Sequence, residues 1–181
     1  MRYIALLRGI NVGGNNKIAM SDLKQCFQDA GFSRVETYIN SGNVLFECDL
    51  KDETIIQKRC ESLIQDHFGF SISIALVEAE SLRNMLARAP EWWGKDPSSK
   101  HNAIFVIQPY SAQEIVEEVG QIKPDYEKVQ AVDSMIFWSA PIETFSKTRW
   151  AKIVGTKTYA KITIRNANTA WKLLQLTYPL E

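Results

Sequence analysis

Two successive stretches of the chain carry the same order of predicted strands and helices, and this order restricts the possible folds more than any other feature. In the first stretch, alternating apolar and polar residues predict strands at residues 3–8, 35–39, 44–48 and 71–77. Apolar residues about 3.6 positions apart predict a helix after the first strand and another before the last. The resulting β-α-β-β-α-β order is typical of the ferredoxin-like arrangement, in which both helices cover one face of an antiparallel sheet.

The second stretch predicts the same order, followed by one further helix. An apolar strand at residues 103–107 precedes a helix that opens with the capping box formed by Ser111 and Glu114. A second hairpin, a short helix ended by Gly155, a strand at residues 158–164 and a final helix capped by Asn168 follow. The predicted fold class is therefore α+β, with two ferredoxin-like halves in tandem and a C-terminal helix.

Breaks in the pattern set the predicted boundaries between these halves. Two prolines, a glycine and serines interrupt regular structure at residues 90–100, which we interpret as a linker. The N-terminal half with a connecting helix then spans residues 1–89, and the C-terminal half with the final helix spans residues 101–181. Within the first half, Ser21 is the predicted N-cap of the first helix.

The composition is that of a folded protein and excludes several classes of function. Hydrophobic residues make up 45% of the 181 residues and charged residues 23%. No apolar run approaches the roughly twenty residues of a membrane helix, and no signal peptide is visible, so we expect a cytoplasmic protein without a membrane partner. Three cysteines without C-x-x-C spacing are expected to be reduced thiols, and two isolated histidines do not predict a metal site.

The loop after the first predicted strand is the strongest candidate for a binding site. Gly9 and Gly14 have the spacing of a phosphate-binding loop, but Asn15 and Asn16 stand where that motif requires lysine and a hydroxyl. The dinucleotide motif also fails, so no cofactor is predicted. Glycine N–H groups, amide side chains and two cations are still suited to an anion. The predicted ligand-binding residues of this loop are Arg8, Asn11, Gly13, Gly14 and Lys17.

Two more polar segments are candidates for the same site. The predicted turn of residues 40–43 places Ser41 and Asn43 near the end of the first hairpin, where an ordinary turn is the alternative interpretation. Arg165 ends the last predicted strand, and its guanidinium suits phosphate or carboxylate. We expect these segments and the opening loop to converge in one concave site.

Nucleic-acid binding is possible but disfavoured. RNA-recognition modules stack bases on aromatic residues of the first and third strands, whereas the third predicted strand has Asn43 and Leu45 at these positions. Residues 141–181 are basic and suit backbone phosphates, although solvated helix and strand faces explain the same charge. Trp92 and Trp93 are more typical of packing than of base stacking.

Several of these segments resemble one bacterial family. The similarity is carried by the runs L-L-R-G-I-N-V-G-G-x-N-K at residues 6–17, G-F at 31–32, T-Y-I-x-S-G-N-V at 37–44 and R-N-A-N-T at 165–169. Together they resemble the bacterial domain-of-unknown-function family sixteen ninety-seven over nearly the whole chain, with Ala19 where that family has proline. The resemblance implies a ferredoxin-like α+β fold in a cytoplasmic bacterial protein. It implies no activity and no catalytic residue.

Four functions fit these observations. Binding of a small anionic ligand, such as a nucleotide, uses the opening loop and Arg165. An enzyme of unassigned reaction needs a titratable group as well, and Glu36 and Tyr38 are nearest in the sequence. A protein-interaction module or homodimer without catalysis would expose an apolar patch, and nucleic-acid binding would use the basic C-terminal segment. The oligomeric state stays open.

Overall fold

The computed structural model describes residues 1–178, which form two four-stranded antiparallel sheets with helices. The chain divides into two compact units. Among the described residues, the first unit comprises Met1–Leu82 and residues 173–178, and the second unit comprises Arg83–Lys172.

The first unit has the β-α-β-β-α-β order that its sequence predicts. Its elements are β1 (Arg2–Leu7), α1 (Met20–Asp29), β2 (Ser33–Tyr38), β3 (Asn43–Glu47), α2 (Glu53–Phe68) and β4 (Ile74–Glu78). The strands lie in the order β2-β3-β1-β4, and all neighbours are antiparallel.

Both helices of the first unit pack on the same face of its sheet. Alternate residues of β1, including Tyr3 and Leu7, join a buried cluster with Phe27 of α1 and Ile64 of α2. The ring of Phe27 lies 5.5 Å from the ring of Phe46 on β3. Burial of these apolar side chains is the dominant favourable term that fixes the helices on the sheet.

The predicted cap of α1 is wrong. The N-cap is Ala19, which has no side-chain hydrogen bond, and the helix already begins at Met20. The Ser21 hydroxyl donates to the Asp22 carboxylate at 3.3 Å instead of accepting a helix N–H group. Because the opening loop reaches the helix in an extended conformation at Ala19, Ser21 lies inside the first turn.

The second unit repeats the sheet topology with fewer helices. Three short 3₁₀ segments replace the second helix, at Ile142–Lys147, Trp150–Ile153 and Tyr159–Lys161. The other elements are α3 (Ala79–Ala87), β5 (Ser99–Val106), α4 (Ala112–Val119), β6 (Lys128–Val132), β7 (Met135–Pro141), β8 (Ile162–Asn166) and α5 (Ala167–Thr177). The strands lie in the order β6-β7-β5-β8, and the boundaries between the two units fall within α3 and α5.

Two local predictions in the second unit need correction. The last strand begins at Ile162 instead of residue 158, because the preceding residues form a 3₁₀ turn in which Lys161 donates its N–H to the carbonyl of Thr158. Asn166, not Asn168, accepts a first-turn N–H of α5, from Thr169 at 2.8 Å. The predicted capping box of α4 is confirmed by reciprocal hydrogen bonds between Ser111 and Glu114.

The predicted α+β fold class is confirmed in both units, including the C-terminal helix. Within residues 1–178, no helix combines the length and the apolar character needed to cross a membrane.

Candidate functional site

The opening loop (residues 8–17) has an unusual backbone. Three glycines of this loop, Gly9, Gly13 and Gly14, have positive φ angles of 72°, 60° and 81°. Asn11 and Asn16 share this left-handed conformation, with φ angles of 54° and 48°. Glycine and asparagine tolerate these angles better than other residues, so the loop conformation depends on its glycine and asparagine composition.

Asn11 holds the two ends of the opening loop together. Its Nδ2 donates to the carbonyls of Ile18 and Asn40, both at 2.9 Å, and its Oδ1 accepts the N–H of Ile18 at 2.9 Å. Both polar atoms of the half-buried Asn11 side chain, Nδ2 and Oδ1, are therefore engaged within the protein. Asn11 therefore shapes the loop and joins it to the neighbouring hairpin turn.

The hairpin turn behind the loop is equally well fixed. Asn43 is fully buried, and its Nδ2 donates to the carbonyl of Tyr38 at 2.8 Å and to the hydroxyl of Ser41 at 3.3 Å. Gly42 has a φ of +79°, and a Cβ there would lie 3.0 Å from the Cβ of Leu7 and would overlap Ile10. The turn therefore packs closely beneath the opening loop and supports it.

Part of the opening loop presents polar groups to solvent. A shallow depression of about 420 Å³ is lined by residues that include Gly14, Lys17 and Asn40. Within residues 1–178, the N–H groups of Gly13 and Gly14 donate to no acceptor, and the exposed Lys17 ammonium has no carboxylate at ion-pair distance. Two N–H groups and a cation in one loop are suited to binding an anion.

The remaining predicted binding residues lie in different surroundings. Arg8 is half-buried where β1 ends, and its N–H donates to the carbonyl of Ser73 at 3.0 Å. Arg165 lies on β8 of the second unit and is 7% exposed; it donates to the Thr163 hydroxyl at 2.9 Å and the Ile164 carbonyl at 3.0 Å. Burial lowers the pKa of Arg165 to about 10, which leaves it charged at neutral pH. Its approach to the opening loop stays a prediction.

The two residues named for an enzymatic alternative both lie on β2. Glu36 is exposed on β2 and forms an ion pair with Arg2, at 3.2 Å. Tyr38 is half-buried at the end of the same strand.

Trp93 packs within the second unit. It is 4% exposed, its ring lies 4.8 Å from the ring of Phe137, and its Nε1 donates to the carbonyl of Asn102 at 2.8 Å. Trp92 is half-buried and lines a cleft on the same unit.

That cleft has a volume of about 280 Å³ and contains a pair of residues that the sequence prediction missed. His101 on β5 and Ser139 on β7 are directly opposite each other, with 2.6 Å between Nδ1 and Oγ. The other ring nitrogen, Nε2, lies 2.8 Å from the carbonyl oxygen of Asp96. The two residues are 38 positions apart in the sequence, so only the strand register brings them together.

A polar turn at the rim of the cleft positions the Asp96 carbonyl. The Asp96 carboxylate accepts the N–H and hydroxyl of Ser98 at 2.9 and 2.7 Å, and the hydroxyl of Ser99 at 2.7 Å. These hydrogen bonds lower the pKa of Asp96 to about 2. In the described part of the chain, no three His, Cys, Asp or Glu side chains converge as metal ligands.

Comparisons with known proteins agree with this architecture. The family model described as "Protein of unknown function (DUF1697)" matches residues 1–137. Among solved structures, the conserved bacterial protein SP0830 from Streptococcus pneumoniae is 32% identical with a TM-score of 0.86, and the match covers 97% of each chain. No curated protein matches the chain significantly.

Proposed function

The chain belongs to the DUF1697 family of proteins of unknown function, and from that premise we propose that it binds a small anionic ligand, such as a nucleotide, at the opening loop. The observation that carries this proposal is the combination of donors in one exposed loop. The N–H groups of Gly13 and Gly14 have no acceptor within residues 1–178, and Lys17 adds a cation beside the same depression.

The proposed ligand is held by donors alone. Phosphate oxygens accept hydrogen bonds from backbone N–H groups, and a lysine strengthens such an interaction through its charge. Arg8 contributes a second positive charge at the start of the loop, and Arg165 stays a predicted ligand-binding residue. A ligand with two phosphates matches this number of donors better than a neutral metabolite does.

The amide side chains have a supporting role in this proposal. Asn11 is engaged with Ile18 and Asn40, and Asn43 is buried in the hairpin turn with Ser41. These hydrogen bonds fix the ends of the opening loop and the turn beside it, and Gly13 and Gly14 lie between those ends with positive φ angles. This preorganisation lowers the entropic cost of ordering the loop around a ligand.

Calorimetric titration with ADP and with inorganic pyrophosphate tests the proposal. We expect Kd to rise about tenfold for Lys17→Ala, which corresponds to about 1.4 kcal/mol of lost charge-assisted binding. Arg8→Ala is expected to weaken binding in the same direction. Adenosine, which lacks phosphate, is expected not to bind measurably.

Lys24→Ala is the matched control, because Lys24 is an exposed lysine of the same unit that lies on α1 outside the depression. The proposal is wrong if neither ADP nor pyrophosphate binds at millimolar concentration. Equal weakening by Lys24→Ala and Lys17→Ala would also reject it, since binding would then reflect only the net charge of the surface.

We further propose that the protein is bacterial and cytoplasmic. The similarity to a conserved bacterial protein supports the origin. The free thiols of Cys26, Cys48 and Cys60 support a reducing compartment, and burial raises the pKa of Cys60 further above that of an ordinary thiol.

A further inference from the structure

The geometry points to a second site, in the cleft of the second unit, where Ser139 is a nucleophile and His101 its general base for cleavage of small esters. The two side chains are in hydrogen-bond contact, with 2.6 Å between His101 Nδ1 and Ser139 Oγ. A nucleophile in contact with a base that is itself held by a third group is the arrangement that activates a serine hydroxyl. The proposal is independent of anion binding at the opening loop.

The partner of Nε2 determines which way the proton of this contact points. Nε2 of His101 lies 2.8 Å from the carbonyl oxygen of Asp96, and a carbonyl oxygen can only accept a hydrogen bond. In the neutral imidazole, Nε2 therefore carries the proton and Nδ1 has a free lone pair. The Ser139 hydroxyl donates to that lone pair, which is the direction required for proton removal by the imidazole.

Strand register places a cation on the other side of the serine. On β7, Ser139 is opposite His101 of β5 and also opposite Lys128 of the edge strand β6. Residues directly opposite each other in an antiparallel sheet project from the same face. The face therefore carries a row of base, nucleophile and cation, and the Lys128 ammonium is suited to stabilise the oxyanion that forms on an attacked carbonyl.

The cleft determines the size and character of the substrate. Its volume of about 280 Å³ suits a small acyl group, and its walls include Trp92, Tyr126 and Pro141 beside His101 and Ser139. These apolar surfaces favour a short acyl chain or an aromatic leaving group. Ser139 is only 6% exposed, so its hydroxyl meets substrate at the floor of the cleft and not at the protein surface.

The reaction has two steps, and water is the second reactant. Ser139 Oγ attacks the ester carbonyl carbon as its proton moves to His101 Nδ1; the bond to the leaving oxygen then breaks, and that oxygen takes the proton from Nδ1. An acyl group is now bonded to Oγ. Water attacks the same carbonyl carbon, gives its proton to Nδ1, and the acid leaves as Ser139 Oγ regains a proton.

Two measurements on the full chain test this inference. Intact-mass and peptide mass spectrometry after incubation with an alkyl fluorophosphonate are expected to show one adduct, on Ser139. Hydrolysis of p-nitrophenyl acetate is expected to exceed the rate in buffer and to be abolished by that adduct. An adduct elsewhere, or no adduct on folded wild-type protein, overturns the inference without any variant.

Variants then separate the roles of the two residues. We expect His101→Gln to lower the rate of phosphonylation by about 100-fold or more, which is the usual contribution of a general base. Imidazole added to His101→Gly is expected to restore part of that rate, since the removed side chain leaves space beside Ser139. Lys128→Gln is expected to cause a smaller loss than His101→Gln.

Ser146→Ala is the matched control, because Ser146 is an exposed serine of the same unit that lies outside the cleft. It is expected to label and hydrolyse like the wild type. Circular dichroism verifies that each variant is folded. Unchanged labelling in folded His101→Gln would show that the contact with Ser139 is only structural and would overturn the inference.

Discussion

One polar side chain with three hydrogen bonds holds an irregular segment in each unit, but the two side chains differ in charge and burial. Asn11 is a half-buried amide that closes the opening loop of the first unit. Glu127 is a carboxylate with 3% exposure, and it accepts the N–H groups of Lys123, Arg149 and Trp150 at 3.1, 2.7 and 3.2 Å.

The two units complete the same sheet topology in different ways. The first unit has a full second helix, and most residues of its opening loop are exposed although Ile10 is buried in the core. The second unit replaces that helix with 3₁₀ segments, and Glu127 fixes the one that begins at Trp150 against the sheet. Hydrogen bonds to a buried charge are stronger than neutral ones, and they cost more when one partner is removed.

Replacement of Glu127 is therefore expected to have the largest effect on stability. Glu127→Ala leaves three N–H groups without their acceptor, two of them at the segment that carries the buried Trp150. We expect a loss of about 3–5 kcal/mol in the free energy of unfolding. Urea denaturation followed by tryptophan fluorescence measures this loss.

Glu127→Gln is the matched variant, because it keeps the size and one oxygen acceptor. Its NH₂ group faces at least one of the same N–H donors, so we expect an intermediate loss of about 2 kcal/mol. Equal stability of the wild type and Glu127→Ala would contradict the view that this carboxylate holds the 3₁₀ segment.

Replacement of Asn11 is expected to have the next largest effect on stability. Two substitutions separate the contribution of its hydrogen bonds from that of its backbone conformation. Asn11→Ala removes the three hydrogen bonds and also forces alanine into a φ of 54°, for a loss of about 2 kcal/mol in total. Asn11→Gly removes the bonds but accepts the backbone angle, so we expect about half that loss. The same denaturation experiment compares them, and identical values would show that backbone conformation contributes nothing at this position.

The fold was predictable from the sequence because its main signals are local. The helical spacing of Leu23 and Phe27 on α1 indicates which residues face the core, and both side chains are fully buried. The mostly apolar run of β1 is buried from Tyr3 to Leu7. The family resemblance read from the opening loop is confirmed by the family match. The errors fall at element ends: Ser21 is within a helix that began earlier, and residues 158–161 form a 3₁₀ turn before β8.

The cleft could not be predicted in the same way, because long-range strand register creates it. Ser139 directly follows an apolar run on β7, whereas His101 lies among polar residues near the start of β5, and neither has a motif around it. A register prediction for β5 and β7 would have paired them. The opening loop was identifiable since its glycines and asparagines are adjacent in sequence, but its hydrogen bonds to the neighbouring hairpin turn required the tertiary structure.

Asp96 extends the comparison to a carboxylate that is exposed but also accepts three hydrogen bonds, and it is expected to have the smallest effect. Its pKa is lowered from 3.8 to about 2 in the folded protein, so its contribution to stability is fully present above pH 3.8 and is lost as the pH falls toward 2. Asp96→Asn should therefore lower Tm at pH 6, with the gap from wild type closing near pH 2. Thermal unfolding across this range measures the gap, with Asp125→Asn as the exposed control in the same cleft. A difference in Tm that does not change with pH would show that the introduced amide changes the turn and that the lost charge does not. Asp96 would then resemble the neutral Asn11, and not the charged Glu127, in how it holds its segment.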